Sequence, residues 1–206
     1  MKLFCYSFLA LLVSLKLHSQ SCKELDRKQF FTSIKFGNKI PSALLNCSGS
    51  KAVSYAGSAT LRIQFDSLTP ACKKKYADLF TFQGLSFSFS QLSTNQEGQL
   101  MLAEMYSFFD DDRSDDSIIY SPPSNFIRLS AKLESLYGKP TYLQFPTKTD
   151  SLFIKVKGME QVIKWGCNNY DLYVRIRYGS RDKMLNVILL QIRSRNFDVP
   201  LEVQSQ

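Results

Sequence analysis

Between residues 60 and 65 apolar and polar positions alternate, with Leu61, Ile63 and Phe65 set against Thr60, Arg62 and Gln64. A period of two predicts a strand with one buried face. The same alternation runs unbroken through Leu85-Ser86-Phe87-Ser88-Phe89-Ser90, which predicts an apolar face in the core and a hydroxyl face in water. Residues 99–109 continue the sheet, and the turn formers Ser93-Thr94-Asn95-Gln96-Glu97-Gly98 between the two strands read as a hairpin tip. Nearer the C-terminus Leu172, Val174, Ile176 and Tyr178 share one side of a strand, and Asp171, Tyr173, Arg175 and Arg177 share the other. Residues 179–183 then turn the chain into an apolar run from Leu185 to Ile192. Phe31 to Phe36, apolar at Ile34 and Phe36 and closed by Gly37, predicts one more short strand.

The helical period is rarer. Phe126, Leu129, Leu133 and Leu136 recur at three and four residues and predict an amphipathic helix. Ser121-Pro122-Pro123-Ser124 supplies its start, while Gly138 and Pro140 stop it. Ile40 to Leu45 predicts a shorter helix with Pro41 in its first turn, ended by Cys47-Ser48-Gly49-Ser50. Trp165, the single tryptophan, is expected in the core near a disulfide. Together these elements predict an α+β fold, an antiparallel sheet covered by helices. The order helix-then-strands occurs twice, which reads as a tandem duplication of an αβββ unit with halves at 22–112 and 113–206. Leu133-Glu134-Ser135-Leu136-Tyr137-Gly138-Lys139-Pro140, followed by a tryptophan-bearing segment and two alternating strands, resembles small bacterial cell-envelope α+β domains such as the β-lactamase inhibitor protein and the outer-membrane assembly lipoproteins. The resemblance spans residues 121–193 at most. It implies binding rather than catalysis and transfers no functional residue.

The N-terminus changes the inventory. Met1-Lys2, an apolar run from Leu3 to Val13 and the small-residue stretch to Ser21 predict a secretory signal peptide over residues 1–21. That run is too short to span a membrane, and no later run replaces it. The whole chain carries a formal charge of +8, with 26 basic and 18 acidic residues. Losing Lys2 and Lys16 would leave 24 basic residues and a charge of +6. His18, the single histidine, would leave as well. A mature chain without imidazole excludes Ser-His and Cys-His nucleophilic mechanisms and histidine-ligated metals.

Cys22, Cys47, Cys72 and Cys167 would remain, an even number that predicts two disulfides in an oxidising compartment, with all three connectivities open. The competing expectation makes Cys22 the acylated first residue of a lipoprotein. Asp110, Asp112 and Asp116, in the acidic run 110–116, are weak metal candidates. A calcium loop needs glycine at its sixth position and glutamate at its twelfth, where Asp115 and Ser121 stand. Glu104 lies in an otherwise apolar strand, which predicts a partly buried carboxyl, with no second acid opposite it as glycoside hydrolysis requires. Lys73-Lys74-Lys75 is the basic counterpart of the acidic run. Tyr173, Arg175 and Arg177 form the expected interaction face, because aromatic residues and arginine dominate protein hot spots. The expectation is therefore a secreted or periplasmic, non-enzymatic binding module with a protein partner in the envelope. It takes no cofactor and no nucleic acid. A carboxylate- or metal-dependent hydrolase is the alternative.

Overall fold

The computed structural model describes residues 30–47, 50–55, 58–109, 124–144, 160–166, 168–177 and 186–196. The chain runs through α1 (Ser42–Leu45), β1 (Ser50–Tyr55), β2 (Ser58–Gln64), α2 (Pro70–Lys75), β3 (Thr81–Phe82), β4 (Leu85–Ser86), β5 (Phe89–Thr94) and β6 (Leu100–Phe109). It continues through α3 (Ser124–Tyr137), β7 (Tyr142–Gln144), β8 (Glu160–Gly166), β9 (Tyr170–Arg177) and β10 (Asn186–Ser194). Eight strands form one antiparallel sheet in the order β1-β2-β5-β6-β10-β9-β8-β7. The fold is roughly α+β, as expected, but dominated by its sheet. The N-terminal and C-terminal stretches each contribute four neighbouring strands rather than three, and they meet where β6 pairs β10.

One face of the sheet carries the core. Leu61, Ile63, Leu92, Ala103, Met105, Ile188, Leu190, Ile192, Leu172, Val174, Ile176, Ile163 and Trp165 project there, as the strand registers require. The described helices place their buried side chains on the same side: Leu44 from α1, and Phe126, Leu129 and Leu133 from α3. Three of the four residues in the predicted α3 stripe are thus buried. Leu136, the fourth, stays 38% exposed. Gly138 ends α3 in the left-handed region at φ 76°, and its backbone N–H returns to the Glu134 carbonyl at 2.9 Å. The Trp165 indole N–H donates to the Gly138 carbonyl at 2.8 Å, so the tryptophan of β8 joins helix end to sheet.

Two strand expectations fail, each for a visible reason. Phe31 to Phe36 forms no strand, although Phe31, Ile34 and Phe36 are buried. Its polar groups go elsewhere. The Thr32 and Ser33 backbone N–H groups donate to one Asp78 carboxylate oxygen at 2.6 and 2.8 Å, and the Ser33 hydroxyl donates to the other at 2.6 Å. Phe30 and Phe36 meanwhile meet Tyr170 edge-on at 5.7 and 5.4 Å, closing the segment over β9. Leu85 to Ser90 is not one strand either. Gln83 and Gly84 both have positive φ, 51° and 80°, and fold β3 and β4 into a tight hairpin. The chain re-enters the main sheet at Phe89 with its parity shifted. Phe87 and Ser90 both point inward, so Ser90 is fully buried and donates to the Leu79 carbonyl instead of facing water.

Cys47, at the end of α1, is bonded to Cys72 of α2 with a Cα–Cα distance of 6.2 Å. Thr69 caps α2 by accepting the Cys72 N–H at 3.4 Å, and Pro70 opens the helix. This identifies one pairing among the expected disulfides. Cys22 and Cys167 lie outside the described residues, as do the 1–21 segment and Asp110, Asp112 and Asp116.

Replacing Cys47 and Cys72 together by serine should cost about 3.5 kcal/mol in urea unfolding, the loop-closure value for a 25-residue separation. A second expectation concerns Asp78. Burial raises its pKa, but the hydrogen bonds led by the Ser33 hydroxyl outweigh burial and hold it below the ordinary 3.8. A lowered folded pKa stabilises above the unfolded value and is lost as pH falls through the folded one. The stability gap between the native protein and Asp78→Asn should therefore be full near neutral pH and shrink below about pH 4, measured by thermal unfolding across pH.

Candidate functional site

The face of the sheet opposite the core is polar along one row. The pairing registers align Arg62 on β2, Gln91 on β5, Glu104 on β6, Gln191 on β10, Tyr173 on β9 and Lys164 on β8. Glu104 sits near its middle and is only 8% exposed. The Gln91 amide donates to one carboxylate oxygen at 3.1 Å, and the Gln191 amide donates to the other at 2.8 Å. The Tyr106 hydroxyl adds a third bond at 3.1 Å. Both glutamines then turn their own amide oxygens outward. Gln91 accepts from Arg62 Nε at 3.2 Å, and Gln191 accepts from Arg175 Nη2 at 3.2 Å. A continuous chain of hydrogen bonds thus joins two guanidinium groups through one buried carboxylate.

A second cluster follows on the C-terminal strands. Asp171, 9% exposed, accepts from Arg195 Nε and Nη2 at 3.1 and 3.0 Å, and Lys164 Nζ lies 3.1 Å from its other oxygen. The Tyr173 hydroxyl reaches that oxygen at 3.4 Å. The Tyr173 ring itself lies between cations, with Lys164 Nζ at 5.1 Å and the Arg175 guanidinium carbon at 5.0 Å from its centroid. Burial works against the charge of Lys164, but the Tyr173 hydroxyl and then Asp171 outweigh it and hold the amine above its usual 10.5. Gly166 makes room for this cluster. A Cβ built there would stand 2.8 Å from Arg195 Nη2 and 2.9 Å from Asp171 Oδ1.

Tyr173 and Arg175, two of the three residues expected to form an interaction face, therefore share one surface and one network. Arg177 follows them on β9 at the same parity, opposite Glu160 and Val187. Glu104 is visible in the sequence as a carboxyl in an apolar strand. Its partners are not, because Gln91 and Gln191 lie 13 and 87 residues away from it and only the registers make them neighbours. The residue facing Glu104 on each side is a glutamine, so no second carboxylate stands opposite it. Among the described residues no group of three histidine, cysteine or acidic side chains gathers as a metal would require. The Lys73–Lys75 run ends α2, where cations suit the helix dipole, and Lys73 and Lys75 lie over the Phe65 and Tyr76 rings at 5.1 and 5.2 Å.

Apolar side chains flank the polar row. Leu102, Val162, Val187 and Leu189 are each less than a tenth exposed and lie outside the core cluster. Phe89 and Tyr106 pack edge-on at 5.3 Å beside them, and Phe108 is 47% exposed. Aromatic rings and guanidinium groups thus share this face with one connected hydrogen-bond network.

The chain matches no family among the protein families compared, and no curated protein or solved structure matches it either. Within the second cluster, Gly166→Ala should push Arg195 off Asp171 and cost about 1–2 kcal/mol by chemical unfolding. In an Arg195→Ala background the same substitution should cost clearly less, because the contact it breaks is already gone.

Proposed function

We propose that this chain is an exported binding module whose polar sheet face engages a protein partner. The observation that carries the reading is the Tyr173 ring set between Lys164 and Arg175, on a face opposite to the one that receives the buried side chains of the described helices. Such a face offers aromatic area and guanidinium donors at small conformational cost, since the network already fixes their rotamers. Export is supported by the Cys47–Cys72 disulfide, which persists in oxidising compartments. Among the described residues no helix is long and apolar enough to cross a membrane, which is compatible with that placement. The order of the strands, two four-strand meanders joined through their last members, supports reading the halves as copies of one unit.

A hydrolase finds less support. Among the described residues Glu104 accepts from two amides and a phenol, and catalysis by paired carboxylates needs an acid where each glutamine stands. The anchoring of Cys22 by acylation is a separate proposal, decided by the intact mass of the mature protein.

Site-specific photocrosslinking separates the two faces. A photoreactive residue at Tyr173 should give adducts of one defined mass in extracts of the native compartment, whereas the same residue at the exposed Lys132 of α3 should give none. Equal labelling from both positions, or none from Tyr173, overturns the proposal.

A further inference from the structure

At the start of β2 the core side of the sheet opens into a cleft of about 370 Å3. Ala59 and Leu61 line it from β2, and Ile40 and Leu45 line it from the segment around α1. Leu61 is buried and Leu45 is 47% exposed, so the apolar lining runs from the core to the surface. The cleft is separate from the polar row, because Leu61 points to this side of β2 and Arg62 to the other.

Both walls are fixed by bonds already described or close to them. In the hairpin between β5 and β6 the Asn95 side-chain oxygen accepts the Glu97 and Gln99 N–H groups at 3.1 and 2.9 Å. A bridge between Lys39 and Gln99 ties that hairpin to the segment before α1, and the Leu100 N–H donates to the Asn38 carbonyl at 2.8 Å. On the other wall α1 is anchored by the fully buried Leu44 and by the Cys47–Cys72 disulfide. The hydroxyl of Thr94, which also lines the cleft, is spent on the Ala59 backbone, accepting its N–H at 3.3 Å and donating to its carbonyl at 3.2 Å. The remaining polar side chains of the lining are Lys39, Gln96 and Glu97, all exposed. Among the described residues the Lys39 ammonium and the Glu97 carboxylate have no partner.

We propose that this cleft binds a small zwitterion with an apolar side chain, a free hydrophobic α-amino acid. Lys39 takes the carboxylate, Glu97 takes the ammonium, and Ile40, Leu45, Ala59 and Leu61 take the side chain. The volume equals that of about a dozen waters at about 30 Å3 each, which sets a ligand of about a dozen non-hydrogen atoms. Apolar walls with a few polar groups at one end are the usual form of a small-molecule site. One cation and one anion at the mouth select a ligand that carries both charges at one end. A fatty acid would leave its carboxylate facing Glu97, and like charges discriminate against it. Exposed ion pairs add little, so apolar burial sets the affinity and the charges set the selectivity. The site lies on the opposite side of the sheet from the face proposed above to engage a protein, and it does not depend on that reading.

The experiment titrates L-phenylalanine into the full chain labelled with 15N and follows the amide resonances. Those of Lys39, Gln96, Glu97 and Gly98 should move saturably with a Kd of about 1 mM. Phenylacetate, which lacks the ammonium, and phenylalanine amide, which lacks the carboxylate, should each bind about threefold more weakly. Lys39→Ala should weaken phenylalanine by about the same factor and leave phenylalanine amide unchanged, since the amide never used that charge. Leu45→Ser, at an exposed position that the fold tolerates, should weaken phenylalanine about fivefold. Lys132→Ala on α3 should change nothing. Four results overturn the proposal: no saturable shift of these amides at about ten times the expected Kd, equal shifts from glycine, phenylacetate binding as tightly as phenylalanine, or equal losses of phenylalanine and its amide on Lys39→Ala.

Discussion

The pairing of β6 with β10 in one register is the constraint from which the rest follows. It places Met105 opposite Leu190 inside the core and Glu104 opposite Gln191 on the other face. A slip of one residue would exchange these sets, carrying a carboxylate among aliphatic side chains and exposing Met105. Burying an unpaired carboxylate costs several kcal/mol, far more than losing one methylene contact. Glu104 meets its hydrogen-bond demand only where Gln91 and Gln191 flank it. The polar row thus acts as a register pin at the join between the two meanders.

Periodicity makes much of this legible, and its failures are instructive. The strands at Ser58–Gln64 and Tyr170–Arg177 follow their alternation directly, and Leu100–Phe109 and Asn186–Ser194 fall on the apolar runs expected at 99–109 and 185–192. Turn formers mark the hairpin at residues 94–99, and the Asn95 side chain indeed accepts the Glu97 and Gln99 N–H groups. Phe31 to Phe36 misleads because burial of alternate residues does not require strand pairing. Asp78, 45 residues from Ser33, claims the amides a neighbouring strand would have used. Alternation misleads again from Leu85 to Ser90, where a hairpin with positive φ at a non-glycine residue, Gln83, breaks the phase. No local pattern announces either event.

The candidate site is legible only in part, for the same physical reason. Tyr173 and Arg175 share a face by parity, which a single strand reveals. The relay through Gln91, Glu104 and Gln191 exists across strands, and glutamine carries no signal of its own in a linear pattern. Glu104 stands out because a charge in an apolar strand demands a partner. Among the described residues it meets the Gln91 and Gln191 amides and the Tyr106 hydroxyl rather than a second acid.

The apolar neighbours of the row complete the argument. Leu102, Val162, Val187 and Leu189 would form, with Phe89 and Phe108, a contiguous apolar strip on a sheet face without a helix of the described residues over it. Running charged and amide groups through the strip divides it, and it does so with groups whose hydrogen bonds lock them in place. The row therefore keeps its polar groups satisfied among apolar neighbours nearly withdrawn from solvent, Leu102, Val187 and Leu189 being each less than a tenth exposed.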